Sequence, residues 1–492
     1  MSLHLPILHV VVPLIAAPLM VLLRHGGFAW LLATVASWSS LAVSAALLGE
    51  VAGGGVISYA VGSWAPPWGI EYRIDSVNAF LLVLVSLIAS VVVIYCRDSV
   101  EAEVAPEQHY LFYTMYVLCL AGLLGIAATG DGFNLFVFLE ISSLSSYVLI
   151  ALGRDRRALM ASYQYLIMGT IGATFIVIGV GLLFLMTGTL NLADMATRLP
   201  GVTDTRPVLA ALAFLTVGIS LKLALFPLHL WLPNAYAYAP SAVTAFLAAT
   251  ATKVSVYVLL RFYYSVFGES AIFSALPMGE ILLMLSLAAM FIASIVAIFQ
   301  QDIKRLFAYS SVAQIGYITL GVSLDNMTGL TGGIVHLFNH ALTKGALFLL
   351  LGGIALRVGA VRFDAIGGIG RVMPLTSFGI VIGGLSLIGV PGTVGFVSKW
   401  YLVLAAFEVG AWWLAALIVL SSLLAVIYVW RFVEVAYFRE PGAAVAKLRE
   451  APLSMLATSW LMVAACVYFG LDASLTVGGA AQAAAELLGS GR

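Results

Sequence analysis

Four lysines stand inside apolar runs long enough to cross a membrane: Lys222 in VGISLKLALFPLHLWLP, Lys253 in FLAATATKVSVYVLLRF, Lys344 in HLFNHALTKGALFLLLG and Lys399 in PGTVGFVSKWYLVLAAF. A charged group at membrane depth costs roughly 3 kcal/mol even on a lenient insertion scale, so a series of them marks a use, and the obvious use is moving charge. One acid stands among them, Glu140 in GDGFNLFVFLEISSLSSYVLIA, followed by Ser142, Ser143, Ser145 and Ser146. Burial disfavours the charged form of a carboxyl and of an amine alike, and an adjacent opposite charge restores it. A Glu/Lys pair that can separate therefore switches between holding and releasing a proton. The alternative reading of such a pair is a static ion pair that fixes helix packing.

His336, His340 and Lys344 recur every four residues, which stacks them on one helical face over about 12 Å and suits a proton relay. The H-x-x-x-H spacing also suits zinc, but the expected third ligand is missing and a cation one turn further on opposes a metal. His229 and Tyr236, and Ser310, Gln314 and Tyr317 in KRLFAYSSVAQIGYITLG, are weaker candidates for water-linked hydrogen bonds. Glu434, three residues after Arg431 near a helix end, reads as a local interfacial pair.

The elements that must hold these groups are set by composition. Of 492 residues, 62% are apolar and 9% charged, with a mean hydropathy of +1.08. The class is an all-α polytopic membrane protein, since only lipid accepts so apolar an exterior. The 23 basic and 23 acidic residues balance, which leaves no nucleic-acid footprint. Cys96, Cys119 and Cys466 share no close spacing and imply neither a disulfide framework nor a metal or redox cluster. The first apolar stretch has no basic n-region and no cleavage site before Arg24, so it reads as a retained helix.

About fourteen spanning runs can be counted, among them a fifth at 131–151, a seventh at 207–226, an eighth at 241–266, an eleventh at 328–356, a twelfth at 373–398 and a thirteenth at 411–438. The stretch VISYAVGSWAPPWGIEYRID reads as a small extramembrane hairpin. Loops after odd-numbered spans hold Arg24, Arg97, Arg154, Arg156, Arg157, Lys304, Arg305 and others through Arg449. Those after even-numbered spans hold few: Arg73, Arg198, Arg206, the boundary case Arg261 and terminal Arg492. Both termini are therefore expected to face away from the cytoplasm, which requires an even number of spans. Two spans look interrupted, one near Lys222 by Pro227 and Pro233, the other ahead of Lys399 by Pro391, Gly392 and Gly395. Paired broken helices in the two halves of a chain point to repeated transport units built around freed carbonyls.

Glu140 in a fifth span, Lys222 before a proline break in a seventh, Lys253 in an eighth, the strings KRLFAYSSVAQIGY and HLFNHALTKGALFL, and PGTVGFVSKW in a twelfth together carry a resemblance. They resemble the antiporter-like subunits shared by respiratory complex I, membrane-bound hydrogenases and Mrp-type monovalent cation/proton antiporters, most nearly the branch of the Mrp D subunits. The resemblance implies two inverted five-helix repeats, each with a broken helix. The implied division is 1–105 for three N-terminal helices and the hairpin, 106–270 and 271–440 for the repeats, and 441–492 for a fourteenth helix. It implies a proton-transfer axis of Glu140, Lys222, Lys253, His336, His340, Lys344 and Lys399. The tenth span offers Gln314 and Tyr317 but no acid to mirror Glu140, so only one complete Glu/Lys pair is expected.

The function so implied is ion transport rather than enzyme chemistry: proton movement coupled to export of Na⁺ or another monovalent cation, with other membrane subunits as partners, in a bacterial cytoplasmic membrane. The alternative is a proton-pumping subunit of a redox complex. No flavin, quinone, haem or iron–sulfur ligand set is present in the sequence, so no cofactor is expected and redox chemistry would belong to partners. A non-conducting scaffold is disfavoured by the number of unpaired basic groups at membrane depth.

Overall fold

In the computed structural model, residues 4–489 are described apart from 54, 204 and 275; Arg492, counted above for orientation, lies outside the described residues. The chain runs α1 (Leu5–Leu23), α2 (Gly26–Val51), β1 (Ile57–Ala60), β2 (Glu71–Ile74), α3 (Ser76–Glu103), α4 (His109–Ala128), α5 (Gly132–Ala151), α6 (Arg157–Thr187), α7 (Arg206–Leu223) and α8 (Trp231–Tyr238). It continues through α9 (Ser241–Phe267), α10 (Met278–Ile298), α11 (Ile303–Ser323), α12 (Met327–Val358), α13 (Pro374–Ile388) and α14 (Val394–Glu408). The last elements are α15 (Trp412–Phe438), α16 (Leu453–Leu471) and α17 (Ser474–Leu487).

Twelve of these helices are long and apolar enough to cross a membrane. The remaining crossings are α11 and the broken pair α13/α14. Ser310, Ser311, Gln314 and Tyr317 make α11 less apolar than its neighbours, and all four are buried, so it meets protein rather than lipid. Antiparallel β1 and β2 form the expected hairpin, with Ile57 opposite Ile74.

Helices α4 to α9 form one five-helix unit and α10 to α15 a second, each broken in its fourth member, α7/α8 and α13/α14. Five is odd, so the second unit enters from the opposite side and the repeat is inverted. The two faces of the bundle are chemically distinct. On one, Ser241 N–H donates to Glu103 at 2.9 Å, Lys304 Nζ to Ser241 Oγ at 2.9 Å and Arg371 to Glu440 at 2.7 Å. This basic face gathers the loops rich in Lys and Arg. On the other, the hairpin face, Asn191 donates to Glu71 at 2.7 Å and Ser76 N–H to Glu486 at 3.2 Å.

Close packing follows from small residues, as expected where lipid supplies no hydrophobic drive between helices. A Cβ on Gly321 of α11 would lie 2.5 Å from the Gly329 carbonyl oxygen of α12, so glycine permits this approach. Burial identifies the centre: 89% of the spanning window of α9 is buried, against 39% for α6 and α15.

Several sequence expectations are corrected. Of the two prolines expected to break the seventh span, Pro233 lies in the first turn of α8, where a missing N–H costs nothing, and the break is at residues 224–230. The twelfth span does not stop at 398, because α14 continues to Glu408 and sets Lys399 inside the second half-helix. Residues 441–492 hold not one helix but α16 and the additional α17, whose Ala480, Ala483 and Ala484 are buried. Arg431 does not pair with Glu434. It donates to the carbonyls of Ile298 and Gln300, the free end of α10, while Glu434 meets Arg439 at 3.8 Å.

Arg261, ambiguous in the sequence, locks the hairpin face. Its guanidinium donates to both carboxylate oxygens of Asp75, which also caps α3 through Val77 N–H at 3.1 Å and Asn78 N–H at 3.2 Å. Arg261 Nε donates to Tyr257 OH at 2.9 Å, and Tyr257 donates to the Ala127 carbonyl at 2.9 Å, so one pair ties α3, α4 and α9. The side chains are 12% and 2% exposed. Removing one partner strands a buried charge, at a cost of about 3–5 kcal/mol. Asp75→Ala and Arg261→Ala should each lower the melting temperature in detergent clearly, and Asp75→Leu with Arg261→Met should recover much of the loss; equal melting of single variants and parent would refute this.

In the loop after α11, Asp325 has φ 48°. Burial, with Glu269 second, raises its carboxyl to about 6 from 3.8. A raised folded value means that ionisation opposes folding, so stability is lost as pH rises from about 4 to about 6 and the loss then stays constant. Asn tolerates the left-handed backbone. Asp325→Asn should therefore melt above the parent at pH 8, with the gap narrowing towards pH 4; a gap that widens on acidification would contradict the assignment.

Candidate functional site

At the first break, α7 ends on Ala224 in the left-handed conformation, φ 60°. Trp231 Nε1 takes up the freed Leu221 carbonyl at 2.9 Å and stacks on Tyr165 at 3.9 Å. Lys222 occupies the last turn of α7, where the carbonyl end of a helix favours a cation. Its Nζ donates to Ser143 Oγ of α5 at 2.8 Å and stands 3.8 Å from Glu140 Oε1. The lysine side chain is 4% exposed and the glutamate 26%. A cavity of about 30 Å³ lies against Lys222, lined by Ser142, Ser143, Ser146, Tyr165 and Ser255. It has room for one or two waters among polar partners.

Lys253 of α9 is 1% exposed. It donates to the Ala248 carbonyl at 2.5 Å and faces Thr252 Oγ1 at 3.3 Å. Tyr236 of α8 donates to the adjacent Leu247 carbonyl at 3.3 Å, which ties the first break to the turn below Lys253. Lys344 of α12 donates to the Phe307 carbonyl at 2.7 Å and to Ser310 Oγ at 2.5 Å. The Phe307 and Phe348 rings flank the ammonium at 5.6 and 6.0 Å.

One turn back along α12, both ring nitrogens of His340 lack a partner among the described residues. Its ring lies parallel to that of His336, 6.2 Å away. His336 is held on both sides, by Ser398 Oγ at 2.8 Å and by Gln314 Oε1 at 2.9 Å. A buried polar group with no protein partner carries an unmet hydrogen-bonding demand, which sets His340 apart from the doubly held His336.

The second break holds its lysine differently. Gly389 (φ 90°) and Gly392 (φ 86°) turn the chain in a conformation that side chains resist. The carbonyls of Leu387 and Ile388, freed at the end of α13, accept from Lys399 Nζ at 2.8 and 2.9 Å. Ser422 Oγ of α15 accepts at 2.9 Å, and the ammonium lies 4.6 Å above the Tyr317 ring. Tyr317 OH in turn meets Ser422 at 3.3 Å, and the Tyr317 ring lies 5.4 Å from His336. A Cβ on Gly389 would lie 2.9 Å from Lys399 Cδ, so the glycine also makes room for the lysine.

The structure thus joins Glu140, Lys222 and Ser143 at one break, and Lys399, Tyr317, Ser398, His336 and Gln314 at the other. It does not join Lys222 to Lys253, or His340 to Lys344, by any direct hydrogen bond among the described residues. His229 lies in the first break, stacked on Phe226 at 5.3 Å, with Nδ1 unpartnered among the described residues. Sequence reasoning missed Ser398 and Ser422. Their signal is a hydroxyl inside an apolar span, at GFVSKW and at IVLSSLLAV, where it must find an internal partner. Only Lys222 among the four lysines has a carboxylate within 4.0 Å among the described residues. The others rest on neutral oxygens, so losing a proton leaves no counter-charge stranded.

Fourteen crossings, two inverted five-helix units with matched breaks and a buried row of basic groups define an antiporter-like membrane protein. Residues 129–427 match the NADH:quinone oxidoreductase/Mrp antiporter transmembrane family, and the chain belongs to that family. It is 46% identical over 452 residues to the N subunit of the NADH-quinone oxidoreductase of Desulforudis audaxviator, covering 90% of this chain and 89% of that protein. It is 30% identical over 405 residues to the D subunit of the Na(+)/H(+) antiporter of Alkalihalophilus pseudofirmus, covering 82% and 81%. A chain in the solved structure of the Mrp complex from Dietzia sp. DQ12-45-1b superposes with a TM-score of 0.90 at 26% identity, over 99% of this chain and 97% of that one.

Gln314→Leu and Ser398→Ala each remove one support of His336. A lost hydrogen bond to a buried polar group costs about 1–3 kcal/mol, so each variant should melt below the parent in detergent. Equal melting of both variants and parent would show that His336 needs neither partner.

Proposed function

We propose that this chain is the proton-translocating subunit of a hetero-oligomeric complex in a bacterial cytoplasmic membrane, with both termini on the non-cytoplasmic side. Protons pass along Lys222, Lys253, Lys344, His340, His336 and Lys399, with water completing the gap beside Lys222. Residues 106–270 supply the Glu140/Lys222 switch and Lys253, 271–440 the histidines, Lys344 and Lys399, and 1–105 and 441–492 flank them.

The observation that carries this reading is the geometry at Lys222. Its ammonium has a neutral partner, Ser143 at 2.8 Å, nearer than its carboxylate at 3.8 Å. The ion pair can therefore loosen or tighten without leaving the lysine bare, as a switch requires. A static packing pair gains most from close, bidentate contact.

Coupling to export of Na⁺ or another monovalent cation, in an Mrp-type complex, is the first reading. Likeness to the D subunit of a named Na(+)/H(+) antiporter and to a chain of the Mrp complex supports it. A second reading, a proton pump driven by electron transfer in partner subunits, is favoured by the 46% identity to the N subunit of a NADH-quinone oxidoreductase. Neither asks for a cofactor on this chain.

Tagging the chain in its native host, extracting it in mild detergent and identifying co-purifying subunits by mass spectrometry separates the two. Small hydrophobic partners without redox proteins favour the exchanger; flavin, iron–sulfur or nickel-bearing partners favour the pump. In either complex, Glu140→Ala and Lys222→Ala should abolish proton transport in vesicles while the assembly still purifies whole, and Lys399→Ala should impair it. Loss of the assembly instead would favour a scaffold role, and full transport by Lys399→Ala would remove that residue from the path.

A further inference from the structure

Away from the buried row, a cleft opens at the basic face. Trp30 of α2, Arg97 and Glu101 of α3, and His109 and Tyr113 of α4 line a cavity of about 350 Å³ together with the start of α2 at Gly26. This is the size range of a small-molecule site. A Cβ on Gly26 would lie 3.0 Å from His109 Cβ, so glycine lets the helix begin this close to α4. Trp30 Nε1 donates to the Val93 carbonyl at 3.0 Å, which fixes its ring as a platform.

The charges in the cleft are unspent. Arg97 lies over the Trp30 ring at 5.2 Å and makes no ion pair or hydrogen bond among the described residues. Glu101, one helical turn on, makes none either. Opposite charges four residues apart on a helix are neighbours. Here they form no ion pair with each other among the described residues, and both border the cleft, a cation and an anion one helical turn apart.

The cleft also sits at headgroup depth. Gly26 and His109 open their helices, and Glu101 is two residues from the end of α3. Next to it in sequence, Leu22 is 78% exposed, Leu23 52% and Leu31 50%, apolar surface that acyl chains can cover.

We propose that this cleft binds a phosphoethanolamine lipid headgroup, its phosphate on Arg97, its ammonium on Glu101 and its acyl chains along α1 and α2. Arginine suits phosphate by its planar fork of donors. A purely anionic headgroup would leave Glu101 facing negative charge, and so is the disfavoured occupant.

The test uses the intact complex, reconstituted in nanodiscs of equimolar phosphatidylethanolamine and phosphatidylglycerol and analysed by native mass spectrometry for lipid that stays bound. The parent should retain phosphatidylethanolamine in preference. Arg97→Ala should lower that retention by about tenfold, the scale of one charge-assisted hydrogen bond. Glu101→Gln should erase the preference while a phosphate-bearing lipid still binds. Equal retention of both lipids by the parent, or unchanged retention in Arg97→Ala, would overturn the proposal. Both positions are exposed, so folding is not at stake. Should Arg97→Ala fail to assemble, an unchanged preference in Glu101→Gln overturns it alone.

Discussion

The structure depends on one constraint: at membrane depth, every charge and every backbone carbonyl must find its partner inside the protein. Breaking a helix creates carbonyls without partners, and placing a lysine in an apolar span creates donors without partners. At the second break each problem solves the other, since the carbonyls of Leu387 and Ile388 accept from Lys399. At the first break the freed Leu221 carbonyl goes to Trp231, which leaves Lys222 for Ser143 and Glu140.

That difference makes the two inverted units unequal despite their shared architecture. The first holds its lysine beside a carboxylate, the second beside carbonyls, a hydroxyl and the face of Tyr317. Gln314 and Tyr317 of α11 do not imitate the acid of α5. They support His336 and cover Lys399. Between the units the row runs through α9 and α12, whose deep burial keeps Lys253 and Lys344 from reaching water by extending outward.

Charges outside the row hold the frame. Asp75 and Arg261 join α3 to α9 on the hairpin face, while Glu103, Ser241 and Lys304 join three helix ends on the basic face. Rigid ends let the glycine-lined contact of α11 with α12 remain close, and that closeness brings Gln314 to His336 and Ser310 to Lys344.

Sequence by itself determined the class, the number of crossings, the hairpin, the presence of two breaks and the polar residues buried among the helices. Each of these is local: an apolar run, a turn residue or an ionisable group is written in consecutive positions. Only the tertiary structure decided where the breaks fall, that Lys399 lies inside a half-helix, that α17 exists, and that Arg261 belongs to Asp75 rather than to a loop. Glu434 shows why, since its arginine three residues earlier is drawn instead to the free end of α10, a partner set by folding. Ser398 and Ser422 show the same for the site, because a hydroxyl in an apolar helix states a need for a partner without naming it. Which donor meets which acceptor depends on helices far apart in sequence, and in a medium that offers no water, packing alone makes that assignment.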